Sequence, residues 1–418
     1  MLQSKLFYKT SKEISEEEKS INAKLLTRAG FVDKLMAGAY TYLPLGLKVL
    51  EKIKKIIREE MNAIGGQEIL MPALTPKENW VKTGRWDKID VLFKVKGTGD
   101  KEYALGSTHE EIVTPLVKKI VNSYKDLPVA VYQIQDKFRD EPRAKSGLLR
   151  GREFSMKDLY SFHANEADLD KYYEEAKEAY SKIFKRCRLD ALVVEASGGT
   201  FSKYSHEFQV LTESGEDIIY YCGKCSYAQN REISEYKAGD KCPKCGGEMM
   251  EGKAIEVGNI FKLKTKFSEA FDLNFLDKDG KKKLVIMGCY GIGPSRVMGS
   301  IAEVSHDDKG IIWPAEVAPF DIHLVALFGK DEKKNGEVGK ESGKLYESLQ
   351  KEGFDVLYDD REEVSAGVKF GEADLFGIPF RLVISEKTLD KGSVEVKKRA
   401  GSEVELVKLN QVGKTIKK

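Results

Sequence analysis

The chain has 418 residues, of which 41% are hydrophobic and 33% charged, and its 69 Lys and Arg against 67 Asp and Glu leave a net charge of +2. That length exceeds one ordinary core and that mixture excludes a disordered, fibrous or collagen-like chain, so two or three globular domains are expected. A balance this close to neutral neither requires nor excludes a nucleic-acid partner, since a local basic face can sit on a nearly neutral protein, and the longest apolar runs, such as Ile322 to Phe328, are far short of a bilayer span.

From the N-terminus, Met1 to Ser20 is rich in Lys and Glu and lacks the apolar stretch of a signal peptide, so a cytoplasmic protein with no membrane partner is expected. Gly46 to Gly65 carries Leu50, Ile53, Ile57, Met61 and Ile64 at helical spacing and closes on Gly65 and Gly66, which predicts a core-packing helix. Short, Gly-punctuated segments follow, of which Glu102 to Leu105 and Val129 to Ile134 read as strands. Lys137-Phe138-Arg139-Asp140-Glu141-Pro142-Arg143, a loop with Ser146 and Gly147, and Arg150-Gly151-Arg152-Glu153-Phe154 form a segment dense in guanidinium groups. These are permanently charged and donate paired hydrogen bonds, which suits polyphosphate. The same composition suits a solvated, salt-bridged hairpin, and spacing alone does not separate the two.

A second helix is predicted from Asn165 to about Cys187, with Asn165 as cap, Asp168 in the first turn, and Leu169, Tyr172, Ala176, Tyr180 and Ile183 on one face. Further on come Cys222-Gly-Lys-Cys225, sixteen residues, and Cys242-Pro-Lys-Cys245. Two such knuckles in a chain without a secretory signal argue against disulfides and for a structural zinc site, because four thiolates close a tetrahedral shell; a metal-free ribbon and a redox pair are the alternatives. Lys283 to Gly288 reads as a strand leading into Cys289-Tyr290-Gly291-Ile292-Gly293-Pro294-Ser295-Arg296 and an apolar helix. A Gly-rich turn before a helix offers N–H groups to an anion, yet this one matches neither a Walker loop nor a dinucleotide fingerprint and reads equally as a plain turn. After Pro319 the pattern alternates: Ile322 to Phe328, Gly339 to Lys351, Phe354 to Tyr358, Ala366 to Phe376 and Arg381 to Ile384, a small α/β domain beginning near Ala318.

The order and wording of these segments resemble the three motifs of class II aminoacyl-tRNA synthetases. Gly66-Gln67-Glu68-Ile69-Leu70-Met71-Pro72 is similar to motif 1, Phe138 through Phe154 to motif 2, and Gly291 to Arg296 to motif 3. Within the class, Gly106-Ser107-Thr108-His109-Glu110-Glu111, Met156 through His163, and Ser205-His206-Glu207-Phe208 resemble the bacterial-type prolyl-tRNA synthetases, and the likeness runs from Leu6 through Arg399. It implies an α+β catalytic domain over residues 1–317, an antiparallel sheet flanked by helices, in which the two cysteine knuckles depart from the family and read as a small zinc-ribbon-like insertion at 218–254. An α/β anticodon-binding domain over 318–418 follows, on the words Asp359-Asp360-Arg361, Gly367 to Phe370 and Ala373 to Pro379.

The resemblance also implies chemistry: ATP with magnesium activates L-proline to prolyl-adenylate, and the prolyl group passes to tRNA(Pro). Arg139 and Arg296 are then the catalytic arginines, on the α-phosphate with the substrate carboxylate and on the γ-phosphate; Glu141, Arg150, Glu153 and Phe154 complete the ATP site. Thr108, Glu110, Arg139, Met156, Phe162 and His206 form the amino-acid site, although a histidine in an apolar setting is often structural. Motif 1 makes a homodimer; by their spacing Cys222, Cys225, Cys242 and Cys245 hold zinc, Cys187 and Cys289 lie outside that set, and Cys289 is a packing residue. Many bacterial relatives carry a large domain between motifs 2 and 3 that hydrolyses mischarged alanyl-tRNA. Here that interval is short, so no editing in cis is expected. A threonyl enzyme of the same class, which uses zinc inside its substrate pocket, a non-catalytic tRNA-binding paralogue, and a zinc-ribbon nucleic-acid-binding protein are the rival readings.

Overall fold

A computed structural model of the chain describes residues 1–7, 9–11, 20–144, 146–199, 201–202 and 204–417. Of the N-terminal stretch Met1 to Ser20, residues 8 and 12–19 therefore lie outside the described residues. The chain divides into two compact units, one of residues 35–39 and 53–300, the other of 1–34, 40–52 and 301–418. The boundary expected near Ala318 falls inside the second. Among the described residues no helix is long and apolar enough to cross a membrane.

The helix predicted over 46–65 is α1 (Pro44–Ala63), which buries Leu50, Ile53, Ile57 and Met61 at the expected spacing. It ends as anticipated: Gly65 has φ +79°, and the Gly66 N–H returns to the Met61 carbonyl at 3.0 Å.

The first unit is built on a nine-stranded sheet. In chain order its strands are β1 (Gln67–Glu68), then, after a separate three-stranded antiparallel sheet of β2 (Leu74–Pro76), β3 (Lys94–Lys96) and β4 (Glu102–Leu105), β5 (Val129–Phe138) and β6 (Glu153–His163). They continue with β7 (Ala191–Ser197), β8 (Tyr204–Leu211), β9 (Asp217–Cys222), β10 (Ala228–Asn230), β11 (Met249–Lys264) and β12 (Ile286–Ile292). The order across the sheet is β8-β7-β10-β9-β11-β12-β6-β5-β1, with β8 also paired to β11. All pairings are antiparallel except β1 with β5 and β10 with β7. Strand β4 has the predicted bounds, and β5 runs four residues beyond Ile134 into the arginine-rich segment.

Helices α2 (Lys77–Lys82), α3 (Glu110–Val117), α4 (Glu166–Arg186), α5 (Lys266–Phe271) and α6 (Pro294–Val304) accompany these strands. α4 is capped as predicted, the Asn165 side chain accepting the Asp168 N–H at 2.9 Å. One expectation changes near motif 3: the strand is β12, so Cys289, Tyr290 and Gly291 belong to the sheet and the turn shrinks to Gly293. Pairing explains this, because Cys289, Tyr290 and Gly291 sit between β6 and β11 and their backbone groups are satisfied in both ladders. Pro294 then opens α6, where a residue without an N–H costs nothing.

In the second unit, β13 (Ile322–Leu327), α7 (Glu332–Lys351), β14 (Val356–Asp359), α8 (Ala366–Phe376), β15 (Phe380–Ser385), β16 (Ser393–Lys398) and β17 (Val404–Lys408) form the small α/β fold that the alternation predicts. Its sheet order is β14-β13-β15-β16-β17, parallel for the first three strands and antiparallel beyond. α7 starts earlier than predicted because Asp331 caps it, accepting from the Lys333 and Lys334 N–H groups.

Candidate active site

Strand β6 organises the site through its two faces. Residues two apart point the same way, so Phe154, Met156 and Asp158 face a cavity, while Lys157 lies buried on the opposite face, donating to the Tyr180 hydroxyl at 2.6 Å and the Tyr290 carbonyl at 3.1 Å. The cavity holds about 200 Å³ and is lined by Thr108, Glu110, Arg139, Glu141, Arg150, Phe154, Met156 and Arg296, all anticipated, together with Asp158, Phe201, Glu256, Asn259, Phe261 and Cys289.

At one end are the arginines. Arg139, at the end of β5, lays its guanidinium 5.3 Å from the Phe154 ring centre. Burial, and then the charge of Arg296, lower its pKa, against the pull of the Asp158, Glu256 and Glu141 carboxylates. Arg296, in the first turn of α6, donates to the Glu256 carbonyl at 3.0 Å and to its carboxylate at 3.4 Å. Arg150 pairs with Glu141 at 2.8 Å and with Glu216 at 3.1 Å, which orders the loop after β5.

At the other end stands an acid. The Thr108 hydroxyl donates to Glu110 Oε2 at 2.5 Å, and the Cys289 thiol lies 3.4 Å from Glu110 Oε1. Arg85 donates to Glu110 at 3.3 Å and to Glu111 at 2.9 Å. Burial pushes the Glu111 carboxyl up to about 7 against the pull of Arg85. Behind them, buried Lys137 pairs with Asp158 at 2.6 Å and with His109 Nδ1. His109 Nε2 faces the Pro72 carbonyl at 3.0 Å, and a carbonyl only accepts, so the ring proton sits on Nε2 and Nδ1 accepts from the lysine. Burial and Lys137 hold His109 down at about 3, neutral at any ordinary pH.

Three anticipated residues do not reach the cavity. Glu153 is exposed and of the opposite parity to Phe154 on β6. Phe162 shares the parity of Met156 but sits six residues further along the strand, in a core with Val113, Val117, Phe267 and Met287. His206 on β8 bonds the Tyr173 hydroxyl of α4 at 2.8 Å and stacks on that ring at 5.7 Å. Sequence reading missed Asp158, Glu256 and Asn259. Their signal was a charged or amide residue inside an otherwise apolar strand.

The four cysteines converge, their sulfurs all within 4.8 Å of one another, with Cys222 to Cys245 at 3.5 Å and Cys225 to Cys242 at 3.7 Å. A tetrahedron with bonds of about 2.3 Å has edges of roughly 3.8 Å, so the set fits zinc. The Lys224 N–H lies 3.4 Å from Cys222 Sγ, a backbone donor of the kind that supports a metal-bound thiolate. The cluster hangs from β9 and β11, where Cys222 pairs with Met249.

A largely antiparallel sheet with one arginine just past the end of β5 and another in the first turn of α6, facing one cavity, together with a separate α/β unit, is the arrangement of a class II tRNA synthetase. Residues 93–305 match the family model for the tRNA synthetase class II core domain (G, H, P, S and T), and residues 322–418 that for the anticodon binding domain. The chain is 39% identical to the proline–tRNA ligase of Sulfurihydrogenibium sp. strain YO3AOP1 over 97% of each chain. It is 35% identical to that of Syntrophomonas wolfei over 100% of this chain and 99% of the relative, and 35% identical to that of Dehalococcoides mccartyi strain 195 over 99% and 98%. The chain belongs to the proline–tRNA ligase family. The first of these alignments occupies 555 positions against the 418 residues of this chain, so that relative carries well over a hundred residues with no counterpart here.

Proposed function

We propose that the chain activates L-proline with ATP and transfers the prolyl group to the 3′ end of tRNA(Pro), with the cavity on β6 as its active site. The observation that carries this is the placing of two guanidinium groups, Arg139 and Arg296, and a buried acid, Glu110, around one cavity. A proline carboxylate oxygen attacks the α-phosphorus of ATP, the bond to the pyrophosphate oxygen breaks, and the charge on the phosphoryl oxygens is met by donors already in place. Arg139 holds the α-phosphate and the carboxylate, Arg296 the γ-phosphate, and magnesium shares that charge. Phe154 offers its ring to the adenine, with Glu141 and Arg150 fixing base and phosphates. Thr108 and Glu110 take the secondary ammonium, and Met156 borders the apolar space. Phe162, His206 and Glu153 are assigned to support of the strands rather than to a ligand. In the second step the terminal ribose hydroxyl of tRNA attacks the adenylate carbonyl and AMP leaves; positioning suffices without a dedicated base.

Residues 1–317 serve as catalytic domain and 318–418 as anticodon-binding domain, with 218–254 a ribbon-like insertion whose four cysteines hold structural zinc. The enzyme works in the cytosol as a homodimer. Exposed Leu70, at 80%, with Leu74 and Val81, supports a partner over the motif 1 region, and light scattering reporting a monomer contradicts it. The residues lacking against the relatives support the absence of editing in cis, which rapid deacylation of alanyl-tRNA by the pure protein overturns.

The deciding assay is amino-acid-dependent exchange of pyrophosphate into ATP with proline, alanine, threonine and glycine. Exchange foremost with proline is expected. Folded protein that exchanges with none of them refutes the reading.

A further inference from the structure

Arg85 has no part in the roles above, yet it is built in with care. It follows α2, its N–H returning to the Trp80 carbonyl at 2.9 Å, and only 5% of it is exposed. Its guanidinium lies 5.5, 4.9 and 5.3 Å from the ring centres of Trp80, Phe201 and Phe267. Nη1 alone makes the bonds to Glu110 and Glu111, while Nε is buried without a hydrogen-bond partner. Removing one member of such a buried set strands the charge of the other, so Arg85 and the two carboxylates depend on each other. Two of its neighbours line the cavity: Glu110, and Phe201, whose ring packs on Phe261 at 4.9 Å.

We propose that Arg85 is a positioning and specificity-determining residue for the amino acid, fastening Glu110 and the Phe201 wall together so that ammonium and pyrrolidine ring are gripped at once. The inference rests on the function proposed above. Glu110 supplies the anion that any α-amino acid needs. Phe201 and Phe261 supply a flat apolar wall that only a side chain with some reach covers. Fixing the acid without the wall binds alanine and proline alike, and it is the common anchor that converts ring contact into discrimination. The anchor must be arginine, since a planar cation stacks on a ring and bonds a carboxylate at once, whereas an ammonium is a hydrated point charge without a face to stack.

The test is pyrophosphate exchange by the full-length protein and by Arg85→Lys, Phe201→Leu and the double variant, with proline and with alanine. For Arg85→Lys, the KM for proline is expected to rise roughly tenfold or more, while the KM for ATP stays within about twofold, and the proline-to-alanine ratio of kcat/KM is expected to fall on the order of tenfold. Phe201→Leu leaves the ion pairs intact and lowers the same ratio, and the double variant loses less than the product of the singles, because both changes cut one contact. An unchanged ratio overturns the inference, as does a proportional loss in kcat and in both KM values. If Arg85→Lys fails to fold, Phe201→Leu decides by the same ratio. Wild-type protein without proline-dependent exchange removes the proposed function and this inference with it; wild-type exchange with a ratio insensitive to both variants removes this inference alone.

Discussion

Glu207 offers a test of the site's electrostatics that does not depend on substrate. It lies on β8 between the cysteine ribbon and the cavity: Gln209 and Asn230 donate to its Oε2 at 2.8 and 3.3 Å, and Asn259 to its Oε1 at 3.3 Å. Burial, and then the neighbouring Glu256, push its carboxyl up to about 7. The group therefore prefers its proton in the folded state, against about 4.3 in the unfolded chain. Stability it lends is complete below the unfolded value and is lost as pH rises toward 7, at about 1.4 kcal/mol per unit, for a total of roughly 3–4 kcal/mol, of which about 2–3 kcal/mol falls between pH 5 and 7. Glu207→Gln removes the titration and keeps one acceptor toward Gln209 and Asn230. The new amide faces Asn259, whose Oδ1 is buried without a partner and can turn to accept it. In thermal unfolding from pH 5 to 8, the variant should gain on the wild type as pH rises, by roughly 4–12 °C at pH 8 for a unit of this size. Glu111, raised in the same direction, is common to both proteins and cancels in the difference. Parallel profiles, or a variant that loses ground at pH 8, refute the reasoning.

Cys225→Ser opens the tetrahedral set, so metal analysis of purified protein should fall from about one zinc per chain to well below, with the ribbon losing protease resistance before the rest. An unchanged zinc content removes the site. Arg139→Lys keeps the charge but not the fork or the stacking on Phe154, and pyrophosphate exchange should drop by about a hundredfold or more with the melting temperature little altered. Phe162→Leu should cost about 1–2 kcal/mol of stability and leave the KM for proline within about twofold, measured by melting and exchange together; a large KM change returns Phe162 to the pocket.

The elements with regular periodicity were legible from the chain. α1, α4, β4 and the C-terminal alternation lie where hydrophobic spacing and caps put them, because in these the local pattern and the burial agree. Most of the cavity lining was legible as well, through motif wording rather than spacing: a stretch such as Arg139 to Phe154 has no periodicity, and only its resemblance separated a phosphate site from a surface hairpin. Position along the strand was not legible. Met156 and Phe162 differ by an even number, which puts both on one face of β6, but distance along the strand decides whether a side chain meets the cavity or the core under α3. His206 failed differently, since its neighbour Glu207 carries the polar contacts toward Asn259 while the histidine turns to α4. Neither difference is visible until the partners of each strand are known.

The same parity explains how the first unit tolerates so many charges at its centre. Lys157 and Asp158 are adjacent on β6 and both are buried, yet they face opposite sides of the sheet and find separate partners, Tyr180 behind and Lys137 in front. Lys137 is neutralised by Asp158, and Arg85 is balanced by Glu110 and Glu111. Arg139 differs from both: its guanidinium lies against the Phe154 ring, and burial and the charge of Arg296 outweigh the pull of the Asp158, Glu256 and Glu141 carboxylates on it. On the proposed function, an anion entering between Arg139 and Arg296 would relieve their repulsion and replace lost solvation in one step, so the imbalance that burial leaves on Arg139 is one a polyphosphate would correct. A surface hairpin of the same composition carries no such imbalance, because water would have paired it already.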